Sequence, residues 1–485
     1  MRYRSLWPAL ALIIGVQSVA WAQLTPEQQK IEELGRKIED LDRRLRVAEA
    51  KTEAKTETVA EPAPAAQTGA QRPTNAGLPA GTIPAGEASN VGLVTAGPSG
   101  FTVRSADGDF LLKIGADLQI DLRTFTGTGS SALTDQILLR RVRPTFSGTI
   151  YRYIDYFIRP DFGQGSTVIY DAYMQLNYIP HFAIRVGKFK PPVGLERLQS
   201  DDDTSFIERG LPTLLAPSRD IGFQISGDIV NRRVAYQVGV FNGVPDNSLS
   251  DASVSNHRSY AGRIFATPFE AGGESPLSGL GFGLGAEGGN TDGIALPAYK
   301  TAGQNTFFNF NSGVTSAGHR TALAPQAFYY LGPFGLLAED TVTEEEFQKA
   351  ASASQPSVRK DVAFRSWQVE ASYILTGEKK SFGSPNPKHP FSLFGPGSTR
   401  GWGAWEIAAR TGDFSVDHGL FAYGFASSTA SPNFAREWVG GVNWYLNRIL
   451  RISVDYAHTN FAGGAVSADR AAERVILARF QINFI

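Results

Sequence analysis

The C-terminal segment of the chain alternates between apolar and polar side chains from Ala478 to Phe484. Every second residue from Ile476 to Phe484 is apolar, and Arg479, Gln481 and Asn483 lie between them. Successive side chains of a strand point to opposite faces, so this segment predicts a strand with one apolar and one polar face. A soluble sheet and a membrane barrel both use such strands. The rest of the chain and its destination decide between them.

The N-terminus indicates export. Arg2 and Arg4 precede an apolar run from Leu6 to Val16, and Ala20-Trp21-Ala22 then offers a small-x-small cleavage site. This pattern predicts a secretory signal peptide over residues 1–22. The alternative, a membrane anchor, needs a longer apolar run of about 20 residues. No later stretch is long enough to span as a helix, so a membrane location requires a closed barrel.

Composition narrows the function classes. The chain of 485 residues has 51 Gly, 31 Phe, 16 Tyr and 7 Trp, yet its mean hydropathy is only −0.16. Many aromatic residues at near-neutral hydropathy are expected when lipid-facing and water-facing side chains alternate. The absence of cysteine excludes disulfides and thiolate metal sites. A net charge of −1 argues against a nucleic-acid partner.

The segment that follows the signal peptide has a heptad pattern. Its apolar positions are spaced alternately three and four residues apart: Ile31, Leu34, Ile38, Leu41, Leu45 and Ala48. This spacing predicts a coiled-coil helix over residues 23–50, which we expect in the periplasm; the alternative is a single helix that lies on the barrel. Residues 51–98 are rich in Ala, Pro, Gly and Thr and predict a flexible linker.

Residues 99–485 repeat the alternation of the terminal strand. Clear examples are the segments 112–124, 142–150, 154–162, 171–178, 182–186, 221–229, 234–240, 367–375, 438–446 and 450–456. Aromatic residues lie near strand ends, as in the girdles of outer-membrane barrels: Tyr151, Tyr153, Tyr178, Trp438 and Trp444. A soluble sandwich or propeller would need fully apolar inward faces. We therefore predict an all-β transmembrane antiparallel barrel of roughly 14–18 strands, which leaves an aqueous channel.

Eight motifs occur in order along this region: residues 139–148, 159–163, 171–173, 186–197, 206–209, 219–222, 375–378 and 403–406. Together they resemble the phosphate-selective porin O/P family. The resemblance implies a 16-stranded homotrimeric channel in the outer membrane of a Gram-negative bacterium, surrounded by lipid and lipopolysaccharide. It implies passage of phosphate or other small anions, and recognition of the C-terminal strand by the barrel-insertion machinery. Ile485 departs from the pattern, because it follows the aromatic residue that usually ends such chains.

Strand parity identifies candidate pore-lining cations. Arg141, Arg143, Arg159 and Arg185 share the polar face of their strands. An anion channel needs positive charge that faces the lumen, and guanidinium groups suit phosphate oxygens. Three aspartates have the same parity, so pairing of the arginines with Asp155, Asp161 or Asp171 stays an alternative.

A second candidate site is the loop from Lys190 to about Ser218, with Arg219 at its end. If the N-terminus starts in the periplasm, this is the third external loop, which we expect to fold inward and narrow the pore. It contributes four cations to the constriction: Lys190, Arg197, Arg209 and Arg219. The alternatives are a loop that caps the pore or packs on lipopolysaccharide. We expect Asp201-Asp202-Asp203 to form a solvated acidic turn; a divalent-cation site is the alternative.

Enzymatic function is not expected. The six histidines have no metal-like spacing, and no nucleophile, nucleotide or zinc motif occurs, so we predict no catalytic residue, no metal and no cofactor.

Two alternatives to the anion channel stay open. One is a general-diffusion porin with little anion selectivity, and the other is a structural anchor tethered through the coiled coil.

Overall fold

The structure is a computed structural model that describes residues 92–484, apart from 128–132, 249–250, 252–254, 271–274, 352–355, 393–400 and 467–468. The predicted signal peptide, the predicted coiled coil and residues 51–91 of the predicted linker lie outside the described residues. No helix among the described residues is both long and apolar enough to cross a membrane.

Sixteen antiparallel strands form a closed barrel, which confirms the predicted fold class. A short hairpin of β1 (Leu93–Gly97) and β2 (Gly100–Arg104) precedes it. The barrel strands are β3 (Phe110–Phe125), β4 (Gln136–Ile150), β5 (Ile154–Asp161), β6 (Val168–Ile179), β7 (Phe182–Phe189), β8 (Asp220–Ile229), β9 (Val234–Phe241), β10 (Ser259–Ala266), β11 (Leu280–Ala295), β14 (Val314–Leu331), β15 (Phe334–Lys349), β16 (Val358–Ile374), β17 (Ala404–Val416), β18 (Pro432–Tyr445), β19 (Leu450–Gly463) and β20 (Glu473–Phe484). The remaining pair, β12 (Tyr299–Lys300) and β13 (Thr306–Phe308), lies in the connection between β11 and β14.

The C-terminal strand closes the barrel. Strand β20 pairs with β3 from Val475 opposite Phe125 to Phe484 opposite Ala116. Its two faces have opposite exposure, since Phe480 is 50% exposed and Arg479 only 2%. The lipid-facing and lumenal faces predicted for this segment are therefore present in the structure. Strand β2 extends the sheet by pairing with the first residues of β3.

The barrel wall differs in height around its circumference. Strands β5, β7, β9 and β10 have 8 residues each, whereas β11, β14, β15 and β16 have 16 to 18. We call the first group the low wall and the second the tall wall. Charged pairs such as Arg365 with Asp340 and Arg359 with Glu346 lie on the outer surface of the tall wall.

The connections at the two ends of the barrel differ in length. At one end, the turn rim, residues 151–153, 180–181, 230–233, 332–333 and 446–449 form short turns. Two longer connections, residues 267–279 and 375–403, join strands at this same rim. The opposite end, the loop rim, includes the connection of residues 190–219 between β7 and β8.

Candidate functional site

The connection of residues 190–219, which we call the inward loop, crosses the lumen to the far wall. The backbone amide of Leu195 donates a hydrogen bond to Glu339 on β15 (2.7 Å), and that of Ile207 donates to Asp455 on β19 (2.6 Å). Side chains of the loop such as Leu215 and Phe206 are almost fully buried. The loop therefore lies inside the barrel, where two of its backbone amides use carboxylates of the opposite strands as acceptors.

A β-bulge on β4 turns two consecutive arginines into the lumen. Gln119 on β3 pairs with Arg141, but the next residue, Ile120, pairs with Leu139, which leaves Arg140 as the extra residue. A bulge of this kind interrupts the alternation of faces and re-aims a side chain. Arg140 therefore reaches the inward loop, where it makes a bidentate pair with Glu208 (2.7 and 3.0 Å).

Residues 200–203 form the tip of the inward loop, and the tip places Asp201 among the arginines. The carboxylate accepts a hydrogen bond from Arg143 (2.5 Å) and from Arg209, and Arg141 Nε lies 3.4 Å from it. Tyr170 Oη also donates to it (3.0 Å). Asp201 and Asp202 are buried, so the expectation of a solvated acidic turn is wrong. The tip is instead held by ion pairs and hydrogen bonds inside the lumen.

The ring of Tyr170 lies between two guanidinium groups, those of Arg143 and Arg219. Tyr170 is the extra residue of a bulge on β6, because Arg159 pairs with Asp171 and Pro160 pairs with Ile169. The guanidinium carbons of Arg143 and Arg219 lie 3.5 and 3.6 Å from its ring centroid. Two groups that close cannot share one face of the ring, so they stack on opposite faces. The ring thus spaces two cations that would otherwise repel each other.

These residues surround a cavity of about 210 Å³ on the loop-rim side of the tip, which we call the arginine cavity. Six cationic and two acidic side chains are among its lining residues: Arg140, Arg141, Arg143, Arg197, Arg209, Lys300, Asp161 and Glu208. Lys300 comes from β12, in a different connection from the inward loop. The excess of positive charge makes the cavity suitable for a small anion.

Two guanidinium nitrogens at this site lack a hydrogen-bond partner within the described residues. Arg141 Nε and Arg197 Nε are buried and make no hydrogen bond there, although both side chains line the arginine cavity. Leaving a buried charged donor unsatisfied is unfavourable. An anion in the cavity is the chemical group that would satisfy such donors.

The other predicted cations are distributed over separate places. Arg159 lines a second cavity on the turn-rim side, and Arg185 lies in a crevice with Lys113 near the same rim. Lys190 donates to the carbonyl oxygens of Leu198 (3.3 Å) and Gln199 (2.7 Å) and fixes the inward loop. Of the predicted residues, the structure brings Arg141, Arg143, Arg197 and Arg209 together at the arginine cavity.

The expected pairing of strand arginines with strand aspartates occurs in part. Arg143 Nε donates to Asp161 (2.7 Å), whereas Asp171 accepts a hydrogen bond from Arg219 of the inward loop (3.3 Å). Asp155 instead accepts a hydrogen bond from Asn177, and Arg185 donates to Gln175 (2.8 Å). The arginine cluster is therefore partly neutralised by the barrel wall and partly by the inward loop.

The second cavity, of about 570 Å³, lies between the loop tip and the turn rim. Ser200, Asp202 and Asp203 of the tip line it, so the tip separates the two cavities. Lys380 of the turn-rim connection of residues 375–403 also reaches inward. Lys380 Nζ donates to Ser205 of the inward loop (3.0 Å) and to Glu406 on β17 (2.6 Å).

Two carboxyl groups of the inward loop, those of Asp201 and Glu208, are ionised at neutral pH. Burial raises the pKa of Asp201, but the guanidinium groups of Arg209, Arg141 and Arg143 outweigh it and hold that pKa well below the usual range. Arg140 similarly lowers the pKa of Glu208 against the effect of burial. Burial and the neighbouring Arg209 lower the pKa of Arg197 to about 10, so this side chain also stays charged.

One group of side chains on the outer surface has the spacing of a metal site. His319, Glu346 and Asp361 bring one ligand atom each within 4.8 Å of one another. Glu346 already makes a bidentate pair with Arg359 (2.5 and 2.7 Å), which competes with metal binding. We therefore assign no metal role to this group.

Comparison with known proteins agrees with this geometry. Residues 112–484 match the family described as phosphate-selective porin O and P. Porin O of Pseudomonas aeruginosa is 24% identical to the chain over 391 residues, which cover 74% of this chain and 84% of that protein.

Among solved structures, an anion-selective porin from Comamonas acidovorans covers 77% of this chain and 100% of its own, with 10% identity and a TM-score of 0.49. The outer-membrane channel DcaP of Acinetobacter baumannii covers 77% and 97%, with 10% identity and a TM-score of 0.48. Because the family match extends over nearly the whole barrel, the chain belongs to the phosphate-selective porin O and P family.

Proposed function

We propose that the chain forms an outer-membrane channel for small oxyanions such as phosphate. The arginine cavity supports this proposal most directly, since six cationic side chains face two acidic ones there. Guanidinium groups bind tetrahedral oxyanions through two N–H donors at once. The unsatisfied Nε atoms of Arg141 and Arg197 are free donors for such an ion.

Anion preference has to arise locally, because the whole chain is close to neutral. The arginine cavity supplies a local excess of positive charge on the loop-rim side. The second cavity, which we call the turn-rim cavity, is closer to neutral, with three arginines and two aspartates among its lining residues. A channel of this kind concentrates anions at its external entrance.

The proposal is tested by the reversal potential of the purified channel in a planar bilayer under a KCl gradient, with phosphate added as a competitor of chloride. We expect a potential of the sign set by chloride, and a chloride current that phosphate reduces. A cation-selective potential would contradict the anion channel and favour the general-diffusion alternative.

The contribution of the cavity is tested by Arg141→Ala combined with Arg143→Ala. Removing two lumenal charges is expected to lower the ratio of anion to cation permeability and to weaken the phosphate block. The matched control is Arg365→Ala, which removes an exposed arginine from the outer surface. Equal anion selectivity in the double variant and the control would contradict a role of the arginine cavity in selectivity.

We also propose that the channel is a homotrimer in which the low wall faces the neighbouring subunits. A strand of 8 residues at about 3.3 Å per residue and a tilt of about 40° rises only about 20 Å, less than the roughly 25 Å apolar band of the membrane. Contact with another subunit would shield this part of the wall from the lipid that it is too short to match. Val238→Trp on β9 is expected to dissociate the oligomer in unheated detergent gels, whereas Leu323→Trp on β14 is not.

The N-terminal segment is proposed to serve assembly from the periplasm. Its heptad pattern favours self-association, and a linker would let the helices meet away from the barrel. Because β1 begins at Leu93, the deletion that tests this role ends at residue 91 and starts after the signal peptide. An altered oligomer with unchanged conductance per pore supports it; altered conductance with an intact oligomer contradicts it.

A further inference from the structure

We infer that the outer surface of the tall wall holds a docking site for one molecule of lipopolysaccharide, the phosphorylated glycolipid of the external leaflet. The site combines an apolar concavity with two charged pairs at its external edge. The inference depends on the outer-membrane location of the barrel and is independent of the solute that passes through the channel.

The concavity, which we call the lipid groove, has a volume of about 830 Å³. Its floor is formed by small side chains of β14 and β15, namely Pro325, Ala327 and Ala338. Larger side chains of the neighbouring strands border this floor: Phe282 and Leu284 on β11, and Trp367 and Val369 on β16. Phe282 and Leu284 are 49% and 44% exposed, so the groove opens toward the lipid. The small floor therefore leaves room for acyl chains within the wall.

The groove lies in the external half of the membrane. Short turns of outer-membrane barrels are periplasmic, which makes the loop rim external. Asp340, at the loop-rim edge of the groove, is six residues from Phe334, the turn-rim end of β15. At about 3.3 Å per residue and a tilt of about 40°, this residue lies about 15 Å above the turn rim, beyond the middle of a roughly 25 Å apolar band. By the same measure Arg365, nine residues from Ile374, lies about 23 Å above that rim, close to the external boundary.

A charged pair borders the groove at this edge. Arg365 donates to Asp340 through Nε (3.2 Å) and Nη2 (2.8 Å), and the arginine side chain is 61% exposed. Its Nη1 has no hydrogen-bond partner among the residues that the structure describes. Charged side chains at membrane depth are costly and mark functional sites. The free N–H groups are therefore available to an acceptor outside the barrel, such as a phosphate of a lipid headgroup.

A second charged pair follows on the next two strands. Arg436 on β18 makes a bidentate pair with Asp413 on β17 (2.8 Å for both bonds), and Asp413 lies opposite Trp367. Arg365 and Arg436 are two strands apart, which is roughly 10 Å because neighbouring strands lie about 4.8 Å apart. Two separated cations suit a headgroup with a phosphate at each end of a disaccharide, as in lipopolysaccharide. A phospholipid such as phosphatidylglycerol has a single phosphate.

The carboxylates of the two pairs also favour the glycolipid. Its acyl chains carry amide N–H and hydroxyl groups just below the headgroup, and these are donors for Asp340 at the edge of the groove. The ester-linked chains of a phospholipid have no such donors. The groove therefore offers apolar contact, acceptors and cations in the order in which lipopolysaccharide presents chains, amide groups and phosphates.

The test compares the two lipids on the full-length protein. Purified protein in detergent is incubated with equal amounts of lipopolysaccharide and phosphatidylglycerol, washed, and analysed by native mass spectrometry. We expect one lipopolysaccharide per protomer to stay bound. Ala327→Leu combined with Ala338→Leu fills the floor of the groove and should abolish this retention. The matched control is Ala409→Leu with Ala478→Leu, two alanines on the outward faces of β17 and β20, away from the groove.

The charged edge is tested by Asp340→Ala combined with Arg365→Ala, which removes the pair without leaving a lone charge. We expect the preference for lipopolysaccharide over phosphatidylglycerol to fall about tenfold, the change that about 1.4 kcal/mol of binding gives. Heat-modifiable gel migration checks folding, and this pair variant tests the site even if the filled groove misfolds.

Three results would overturn the inference. They are equal or absent retention of the two lipids by the wild type, equal loss in the groove variant and its control, and an altered oligomer in the groove variant with lipid retention unchanged, which would show a second copy of the chain in the groove. Reversal potentials of all variants should equal that of the wild type. Failure of the docking site and failure of the anion channel are thus separate results.

Discussion

Single residues in this lumen have several partners, which limits what a substitution can isolate. Arg143 pairs with Asp161 and with Asp201 and stacks on Tyr170. Tyr170 in turn donates to Asp201 and accepts a hydrogen bond from Arg219 (2.7 Å). Its ring and its hydroxyl therefore have separable roles, one in spacing the guanidinium groups and one in holding the loop tip.

Two substitutions separate these roles at the residue scale. Tyr170→Phe removes the hydroxyl alone and is expected to lower the free energy of unfolding by about 1 kcal/mol. Tyr170→Leu also removes both stacking contacts and is expected to cost about 2 kcal/mol more and to reduce anion selectivity. Urea unfolding from lipid vesicles and reversal potentials measure the two effects. Identical behaviour of the two variants would contradict the role of the ring.

At the scale of the element, the bulge on β4 decides how many arginines enter the lumen. The register passes from Gln119 opposite Arg141 to Ile120 opposite Leu139, and Arg140 is the inserted residue. Without it, the strand would pair regularly and alternate between lipid and water. The bulge thus adds one lumenal charge and one partner for Glu208 at no cost to the register of the strand.

A pair of deletions tests this interpretation. Deleting Arg140 is expected to leave a folded barrel with normal strand pairing and a lower anion selectivity. Deleting Leu139 instead would place Arg140 on the lipid-facing side of β4, where a buried arginine costs about 2–4 kcal/mol. Heat-modifiable migration should therefore show folded protein for the first deletion and a reduced folded fraction for the second. Equal folding of both would contradict the assigned register.

The same strand shows what the sequence could predict. Alternation placed Arg141 and Arg143 on the polar face, because the two-residue period of a strand is fixed by backbone geometry. It missed Arg140, although Leu138-Leu139-Arg140-Arg141 breaks the alternation and so marks the bulge. Lys300 carried no local signal, since it reaches the arginine cavity from a distant connection.

The tip of the inward loop also lay beyond local patterns. Three consecutive aspartates are ordinarily a solvated turn, and only the fold places Asp201 against arginines of a strand 58 residues earlier. Closure of the barrel, by contrast, was predictable from the alternation of β20 together with its repetition over residues 99–485 and the predicted export, because membrane strands with two such faces need lipid on one side and water on the other.

For the whole molecule, the closing seam is the contact on which the barrel depends. Arg479 on β20 makes a bidentate pair with Asp121 on β3 (2.7 and 2.8 Å), and both side chains are buried. This pair joins the two ends of the barrel sequence. Its loss would leave a buried charge at the one pairing that converts an open sheet into a cylinder.

Arg479→Ala is expected to reduce the free energy of unfolding by about 3–5 kcal/mol, because the buried Asp121 carboxylate loses its bidentate ion-pair partner. The double variant with Asp121→Ala should recover part of this loss, and the double-mutant cycle gives the coupling between the two side chains. Urea titration of vesicle-inserted protein is the measurement. Additive effects of the two single changes would show that the pair does not support closure.

The division of the lumen into two cavities has an electrical consequence. An applied voltage falls mainly where the water column is narrowest, and we expect that place to be the loop tip, since residues of the tip lie between the arginine cavity and the turn-rim cavity. A unit charge that crosses a drop of 100 mV changes its energy by about 2.3 kcal/mol. Most of the applied voltage therefore acts on an ion while it passes the tip. Because charge is distributed unequally on the two sides of the tip, we expect the size of the current to depend on the polarity of the voltage.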